Sequence, residues 1–391
     1  MTRIRGRDPD REVCLDVTVE DGIIARIEEI RCDTDLYVSA GLIDLQVNGC
    51  AGFDLNAKDI TVGTVVGLVD AMLARGVTCF APTLITAPEE EICSRLRIIA
   101  EARGSNPRAA ACIPFVHVEG PHISALDGYR GAHPADAVRP PSIAEFDRWQ
   151  KAAAGIVGMV TLSPHFSESV EYIAALVKSG VYIAIGHTHA SPDQIRMAVD
   201  SGASLSTHLG NGIAQEIPRH RNPIWSQLAD DRLTASFIAD GHHLPQEVLR
   251  SLLRAKGGAR SILVSDSVAL AGMPPGKYTT PVGGRVELRP DGRLCMEHSE
   301  LLAGSAASLA QCVGTAVRMT GIPLREALAM ATINPGRFAN RSGVIAIGSR
   351  ADLIRFRWTN EMILEDVWLA GEPMDVSKLA RGAQRTKFCN G

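Results

Sequence analysis

Residues 42–48, LIDLQVN, and residues 77–84, VTCFAPTL, are two apolar runs with the length of buried β-strands. Between them, residues 64–75 carry valine, leucine and methionine at the three- and four-residue intervals of an amphipathic helix. A continuous apolar strand, a helix and a second apolar strand are typical of a βαβ unit in a parallel sheet that is covered on both faces. The stretch from 42 to 84 therefore predicts an α/β fold.

The same alternation continues toward the C terminus. Apolar runs recur between helical patterns, and together they number eight: 42–48, 77–84, 112–119, 156–163, 181–187, 203–208, 234–240 and 262–266. Eight parallel strands close a (β/α)₈ barrel, whereas an open doubly wound sheet more often has about five or six. We therefore predict a (β/α)₈ TIM barrel over residues 41–340.

The two ends of the chain show a different pattern. Two short alternating runs near the N terminus flank an Asp-Gly pair at residues 21–22, which predicts a β-hairpin. Segments 343–356 and 362–374 have the same character, with Gly and Asp turns. We predict that residues 1–40 and 341–391 together form one small β domain.

Composition excludes several classes of function. The chain has 391 residues, 46% hydrophobic content and a net charge of −4, and no basic stripe indicates nucleic-acid binding. It has no apolar leader and no long apolar span, so neither secretion nor membrane insertion is expected. The nine cysteines are scattered without a C-x-x-C pair, which favours reduced, mostly buried thiols and a cytoplasmic location.

Polar residues close most of the predicted strands. They are Asn48, Glu119, His187, His208, Asp240 and Asp266. In a parallel barrel the carboxyl ends of all strands meet at one mouth, so we expect these side chains to lie together. Two imidazoles and one carboxylate, from His187, His208 and Glu119, form a donor set that favours Zn²⁺ and also suits Fe²⁺, Co²⁺ or Mn²⁺. For any one of them alone, a hydrogen-bonded rim residue is the alternative.

Other candidates surround the predicted metal. Asp266 is placed to accept a proton from water and pass it to a leaving group. The long connections 120–141 and 209–226 follow strands and are expected to cover the mouth, and the first carries His133. The LGNG turn at 209–212, followed by Arg219 and Arg221, suits an anion, with solvated loop charges as the alternative.

Gln46 and Asn48 end the first barrel strand, and at period two they share a face. Both must therefore point into the same space at the mouth. Neutral amides bind transition metals poorly compared with imidazoles, so this strand end is not expected to bind a metal of its own.

A series of motifs resembles the amidohydrolase superfamily and, within it, the N-acetylglucosamine-6-phosphate deacetylases. The matching segments are GLIDLQVNG (41–49), PTLIT (82–86), HVEGPHI (117–123), GAHP (131–134), IGHTHA (185–190), THLGNGI (207–213), IADGHHL (238–244), LVSDSVALAG (263–272), LAGSAASL (302–309), ATINPG (331–336) and GVIAIGSRADL (343–353). The resemblance implies a barrel joined to a small β-sandwich made from both chain ends. Where most superfamily members have an H-x-H pair on the first strand, this chain has Gln46 and Asn48, which implies a single metal.

The resemblance also implies roles for individual residues. Glu119, His187 and His208 correspond to the metal ligands, Asp266 to the general base and acid, and His133 to the histidine that polarises the amide carbonyl. The substrate contacts are matched by Asn211, Gly212, Arg221 and His243. The last two correspond to phosphate ligands that reach in from a neighbouring subunit, which implies a homodimer.

The phosphate loop departs from the family pattern. This chain reads LGNGI at 209–213 and RNPIW at 221–225, where the family commonly reads LYNAM and REPGL. Three interpretations therefore stay open: deacetylation of N-acetylglucosamine 6-phosphate, hydrolysis of another N-acyl amino sugar or small amide that need not be phosphorylated, and a non-catalytic barrel that binds a sugar or a protein.

Overall fold

The structure is a computed structural model that describes residues 1–11, 13–281 and 283–385. The strands are β1 Thr2–Arg7, β2 Cys14–Glu20, β3 Ile23–Ile30, β4 Leu36–Ala40, β5 Leu42–Val47, β6 Gly49–Cys50, β7 Phe53–Asp54, β8 Val77–Ile85, β9 Val116–Glu119, β10 Val157–Leu162, β11 Tyr182–Ile185, β12 Leu205–Ser206, β13 Thr234–Ile238, β14 Ser261–Val264, β15 Gly276–Thr280, β16 Gly284–Leu288, β17 Leu294–Met296, β18 Leu353–Trp358, β19 Met362–Leu369 and β20 Glu372–Met374. The α-helices are α1 Val62–Leu73, α2 Glu89–Ser105, α3 Pro107–Cys112, α4 Ile143–Ala152, α5 Ser169–Lys178, α6 Pro192–Asp200, α7 Pro223–Ala229, α8 Gln246–Lys256, α9 Leu309–Thr320, α10 Leu324–Ala331, α11 Ile333–Ala339 and α12 Val376–Arg385.

The barrel forms as the sequence predicts. Its parallel strands follow the order β5, β8, β9, β10, β11, β12, β13, β14, and each corresponds to one of the eight predicted runs. The ring closes where Val47 bridges Ser267, and the backbone N–H of Asn48 donates to the Ser267 carbonyl at 2.8 Å. Apolar side chains that include Phe115 and Ile262 fill the interior below the mouth, so the barrel is a packed core and not a pore.

The two chain ends form one mixed sheet, in the order β20, β19, β18, β4, β1, β2, β3. The predicted hairpin joins β2 to β3, with Asp21 and Gly22 at φ values of 48° and 78°. Two consecutive positive φ angles are what a two-residue type I′ turn requires. The predicted C-terminal segment of this domain extends to residue 391, and residues 386–391 lie outside the described part of the chain.

The expectation of reduced thiols is wrong for one pair of cysteines. Cys14 opens β2, Cys32 follows the end of β3, and the two are joined by a disulfide. Because β2 and β3 form a hairpin, residues far apart in sequence meet at its open end, which spacing alone does not reveal. Six other cysteines are free, and most of them are buried, as predicted; Cys389 lies outside the described residues.

A small antiparallel sheet of β15, β16 and β17 was not anticipated from the sequence. It follows the last barrel strand and leads into residues 299–302, which lie over the mouth. None of the described helices is both long and apolar enough to cross a membrane.

Candidate active site

Three predicted metal ligands converge at the mouth of the barrel. Glu119 is the last residue of β9, and its Oε1 lies 3.0 Å from His208 Nε2 and 3.4 Å from His187 Nε2. All three side chains are buried. Residues from three different strands thus present a carboxylate oxygen and two imidazole nitrogens to one point.

The backbone at this point is unusual. His187, His208 and Asp266 each come two residues after a strand ends, with positive φ angles of 47°, 29° and 47°. Residues other than glycine adopt this left-handed conformation at a cost of about 1–3 kcal/mol, and such strain is concentrated at functional sites. Here the left-handed turn directs each side chain into the mouth.

The hydrogen bonds of His187 indicate that a cation belongs between these groups. Its Nδ1 lies 2.8 Å from the Tyr129 carbonyl oxygen, which can only accept a hydrogen bond, so Nδ1 carries a proton. In a neutral ring Nε2 then presents a lone pair to Glu119 Oε1, and the two acceptors repel. A cation between them removes that repulsion, and an outer Nδ1–H···O=C bond is the usual partner of a metal-binding histidine.

His133 lies beside this trio. Its ring centre is 4.4 Å from that of His187, and its Nδ1 lies 2.8 Å from the Thr86 hydroxyl oxygen. Donor atoms of Glu119, His133 and His187 come within 4.8 Å of one another, so His133 is also within reach of a metal. The predicted position of the 120–141 loop over the mouth is confirmed.

Gln46 and Asn48 occupy the same mouth but contact different carboxylates. Gln46 Nε2 lies 3.1 Å from both oxygens of Glu119, and Asn48 Nδ2 donates to Asp266 Oδ1 at 2.8 Å. An amide N–H₂ group is a donor, as a carboxylate requires. The two amides therefore orient carboxylates, a contact that sequence analysis did not identify.

The surroundings of the two carboxyl groups of the site shift their pKa values in opposite directions. Burial alone would raise the pKa of Glu119, but the imidazoles of His187 and His208 next to it hold that pKa well below its usual range. Burial raises the pKa of Asp266, and the neighbouring charge of Glu119 raises it further. Pairs of carboxyl groups whose environments separate their pKa values are typical of acid–base sites.

These residues open into a cavity of about 740 Å³. Its wall includes Asn211, Gly212 and His243, and His243 Nδ1 lies 2.7 Å from Asp240 Oδ2. The Asn211 Nδ2 group is buried without a hydrogen-bond partner among the described residues, so it is free to donate to a ligand.

Arg221 does not join this site. Its side chain is 75% exposed, and its Nη2 lies 3.3 Å from Asp193 Oδ2. His243, in contrast, lines the cavity of its own chain, although the resemblance implied that it would reach in from a neighbour. Two further contributors, the Tyr129 carbonyl and the Thr86 hydroxyl, were missed because they act through a backbone atom and a common polar side chain that carry no sequence signal.

Comparisons with known proteins agree with this geometry. A model of the amidohydrolase family matches residues 37–374. An N-acetylgalactosamine-6-phosphate deacetylase of Escherichia coli O157:H7 is 30% identical over 362 residues, which cover 90% of this chain and 93% of that protein. An N-acetylglucosamine-6-phosphate deacetylase of Bos taurus is 35% identical over 337 residues, which cover 81% of this chain and 78% of that protein.

Solved structures show the same likeness. The crystal structure of an N-acetyl-D-glucosamine-6-phosphate deacetylase from Mycobacterium smegmatis has a TM-score of 0.84 and 28% identity, covering 95% of this chain and 98% of that chain. A mutant of that protein in complex with N-acetyl-D-glucosamine 6-phosphate has a TM-score of 0.84 and 27% identity, with 95% and 99% covered. The superfamily resemblance of the sequence motifs is confirmed, and the chain belongs to the amidohydrolase family.

Proposed function

We propose that this protein is a metal-dependent hydrolase that removes acetate from N-acetylglucosamine 6-phosphate and releases glucosamine 6-phosphate. The observation that carries the proposal is the convergence of Glu119, His187 and His208 beside Asp266 at the mouth of the barrel. The names of the relatives support the same substrate class.

The donor set fits one divalent metal. We propose Glu119, His187 and His208 as its ligands and Zn²⁺ as the ion, with Fe²⁺, Co²⁺ and Mn²⁺ as substitutes. The buried carboxylate lies between two imidazoles, and the lone pair of His187 Nε2 points at it. When bound, the ion supplies Lewis-acid polarisation of the water and of the amide carbonyl.

The remaining steps belong to this chain's own residues. Asp266 accepts a proton from the attacking water and then gives it to the amine as the C–N bond breaks, so that acetate and an amino sugar leave. Asn48 holds Asp266 Oδ1, which leaves Oδ2 for the proton. His133 stays neutral because burial lowers its pKa to about 3, and it donates from Nε2 to the carbonyl oxygen when Thr86 donates to Nδ1.

We assign the distal part of the cavity to the sugar and its phosphate. Asn211 supplies an amide N–H₂ group without a partner, and Gly212, which has no side chain, lets the backbone approach the ligand. His243 is oriented by its contact with Asp240. We further propose a homodimer in which the exposed Arg221 of one protomer reaches the phosphate in its partner. A phosphorylated sugar is charged and does not cross membranes. We therefore propose that the enzyme is located in the cytoplasm with its substrate.

A second candidate is a related substrate. The relative from Escherichia coli O157:H7 is named for the galactosamine epimer, and the LGNGI loop differs from the common family pattern. Deacetylation of N-acetylgalactosamine 6-phosphate, or of an unphosphorylated N-acyl amino sugar, is therefore the alternative.

Acetate release separates these candidates. The full-length protein is assayed with the 6-phosphates of N-acetylglucosamine and N-acetylgalactosamine and with both free sugars, with and without a chelator. We expect the highest kcat/KM for N-acetylglucosamine 6-phosphate and loss of activity with the chelator that added Zn²⁺ reverses. Equal rates with and without the phosphate would favour the alternative. Inactivity with stoichiometric metal would indicate a non-catalytic barrel.

A further inference from the structure

A second polar cavity lies at the opposite end of the barrel, between the barrel and the β domain. It has a volume of about 280 Å³, and most of the residues in segments 40–43, 78–79, 340–344 and 348–352 line it. Its walls include the starts of β5 and β8, so it is remote from the mouth, where those strands end.

Two arginines meet in this cavity. Arg341 Nη2 and Arg350 Nη1 both donate to the Ala111 carbonyl oxygen, at 3.0 Å and 3.3 Å. Two guanidinium groups that share one acceptor lie side by side, and arginine is never deprotonated in a protein. Their like charges therefore repel each other in a partly buried space.

The chain provides only part of the counter-charge. Among the described residues, the sole other charged group that lines the cavity is Asp352, whose Oδ1 lies 3.1 Å from Arg350 Nε. The same oxygen also accepts a hydrogen bond from the Ala370 N–H at 2.8 Å. Two positive charges against one negative charge leave the cavity cationic.

Donor groups are also left over. Arg341 Nε and Arg350 Nη2 are buried without a hydrogen-bond partner in the part of the chain that the structure describes. Buried N–H groups of charged side chains are costly when unpaired, so each one needs an explanation. Hydroxyl groups of Thr78, Ser342 and Ser349 line the same space.

We propose that this cavity binds a small phosphate-type oxyanion, either inorganic phosphate or the phosphate of a small monoester. Guanidinium groups bind such anions through charge-assisted hydrogen bonds, and a tetrahedral anion accepts from several directions at once. A volume of about 280 Å³ lies just below the range of pockets for drug-sized ligands, which favours a small anion.

The bound anion would tie the two domains together. Arg350 belongs to the segment that leads into β18 of the terminal sheet, whereas Arg341 follows α11 and Ala111 lies in α3, and both of these helices pack on barrel strands. A ligand that binds only the folded chain raises its stability as its concentration rises above Kd. The site is therefore an anion-dependent clamp between barrel and β domain.

The test uses the full-length protein with inorganic phosphate, methyl phosphate and, as a control anion, chloride at constant ionic strength. Binding is measured by titration calorimetry and by the shift in Tm. We expect Arg341→Gln to weaken phosphate binding by at least about 10-fold, because it removes charge-assisted hydrogen bonds. Arg337→Gln is the matched control, since Arg337 lies on α11, which ends two residues before Arg341, and also donates to a backbone carbonyl, but it is exposed and outside the cavity.

A second variant tests the site without removing either arginine. Ser349→Asp places a carboxylate among the donors, so it should abolish the Arg341-dependent phosphate response while Tm in phosphate-free buffer equals or exceeds that of the wild type. Any phosphate bound at the catalytic mouth contributes equally to all variants. Equal phosphate affinity in wild type and Arg341→Gln, or a wild-type phosphate response in Ser349→Asp, would overturn the proposal. Either result would indicate that water, and not an anion, satisfies the free donors of the two arginines.

Comparing the two phosphates separates the sources of the anion. Binding of both means that the phosphate of a monoester enters the cavity, and binding of inorganic phosphate alone means that only the free anion does. Binding of neither by the wild type would also overturn the proposal.

Discussion

The two ends of the barrel both contain buried charge without a complete counter-charge, but the signs are opposite. At the carboxyl end of the strands, Glu119 and Asp266 lie among imidazoles and amides. At the amino end, Arg341 and Arg350 face a single carboxylate. Since uncompensated buried charge is costly, each end is arranged for a partner that the chain does not supply. The upper end suits a cation, and the lower end suits an oxyanion.

The difference between the ends lies in how their residues are held. The upper groups follow directly from the ends of barrel strands, so a rigid sheet fixes their distances, as catalysis requires. The lower groups come from the end of α11 and from the segment before β18, which connect two domains. Changes at the upper end should therefore affect rate, and changes at the lower end should affect stability.

The largest effect is expected when the upper end loses its ionised carboxylate. Glu119→Gln keeps the shape of the side chain but removes the negative charge that lies between His187 and His208. We expect metal content to fall to a small fraction of stoichiometric and the rate of acetate release to fall by about 10³-fold or more, since Lewis-acid stabilisation amounts to several kcal/mol. Metal analysis and the acetate assay on the same preparation measure both effects.

Glu145→Gln is the control for this change. Glu145 is also buried, but it pairs with Arg139 and lies outside the cavity wall. The Glu145→Gln protein should retain its full metal content. A Glu119→Gln protein with full metal content and full activity would remove the reason to treat the upper end as a cation site.

Asp266→Asn separates proton transfer from metal binding. The amide cannot accept a proton from water, so kcat should fall by about 10²–10⁴-fold, the range for loss of a general acid–base group. Metal content should stay unchanged because the three proposed ligands are intact. Wild-type kcat in this variant would assign proton transfer to another group.

Asn48→Ala tests whether the amides of β5 act through the carboxylates they orient. Removal of the amide frees Asp266 Oδ1, which Asn48 Nδ2 otherwise contacts at 2.8 Å. We expect the rate of acetate release to decrease by about 10–100-fold, which is the usual effect of losing a group that orients a residue of a metal site. The decrease should appear mainly in kcat with little change in KM. A change in KM alone would instead place Asn48 in ground-state substrate binding.

The sequence predicts the upper end well because its signal is periodic. Apolar strands that end in Glu119, His187 or Asp266 follow from burial and from the geometry of parallel strands, and their convergence needs only barrel closure. The Gln46–Glu119 contact could not be predicted, because it depends on which carboxylate each amide faces. The sheet of β15 to β17 was missed because its strands have only three to five residues, so the alternation of buried residues such as Val286 and Leu288 is too short to stand out.

The lower end left almost no sequence signal. Arg341 and Arg350 stand in or next to segment 343–356, which the sequence assigns to the β domain but to no site, and only the packing of the β domain against the barrel buries their N–H groups. The disulfide of Cys14 and Cys32 was missed for a similar reason, since it depends on a hairpin bringing two distant positions together. Contacts between elements that are distant in sequence therefore set the limit of what sequence analysis found.

The smallest effect on activity is expected from a buried asparagine at the lower end, Asn334, which is the counterpart of Asn48. Its Nδ2 donates to the carbonyl oxygens of Gly258 and Ser261, both at 2.7 Å, and so fixes α11 to the start of β14. Asn334→Ala leaves these two acceptors without their donor, which should lower the free energy of unfolding by about 1–3 kcal/mol. Denaturant unfolding measures this loss, while kcat and KM should stay within about twofold of the wild type because the upper rim is untouched. A large loss of kcat in the folded variant would show that the two ends are coupled, and the division between a catalytic end and a stabilising end would then fail.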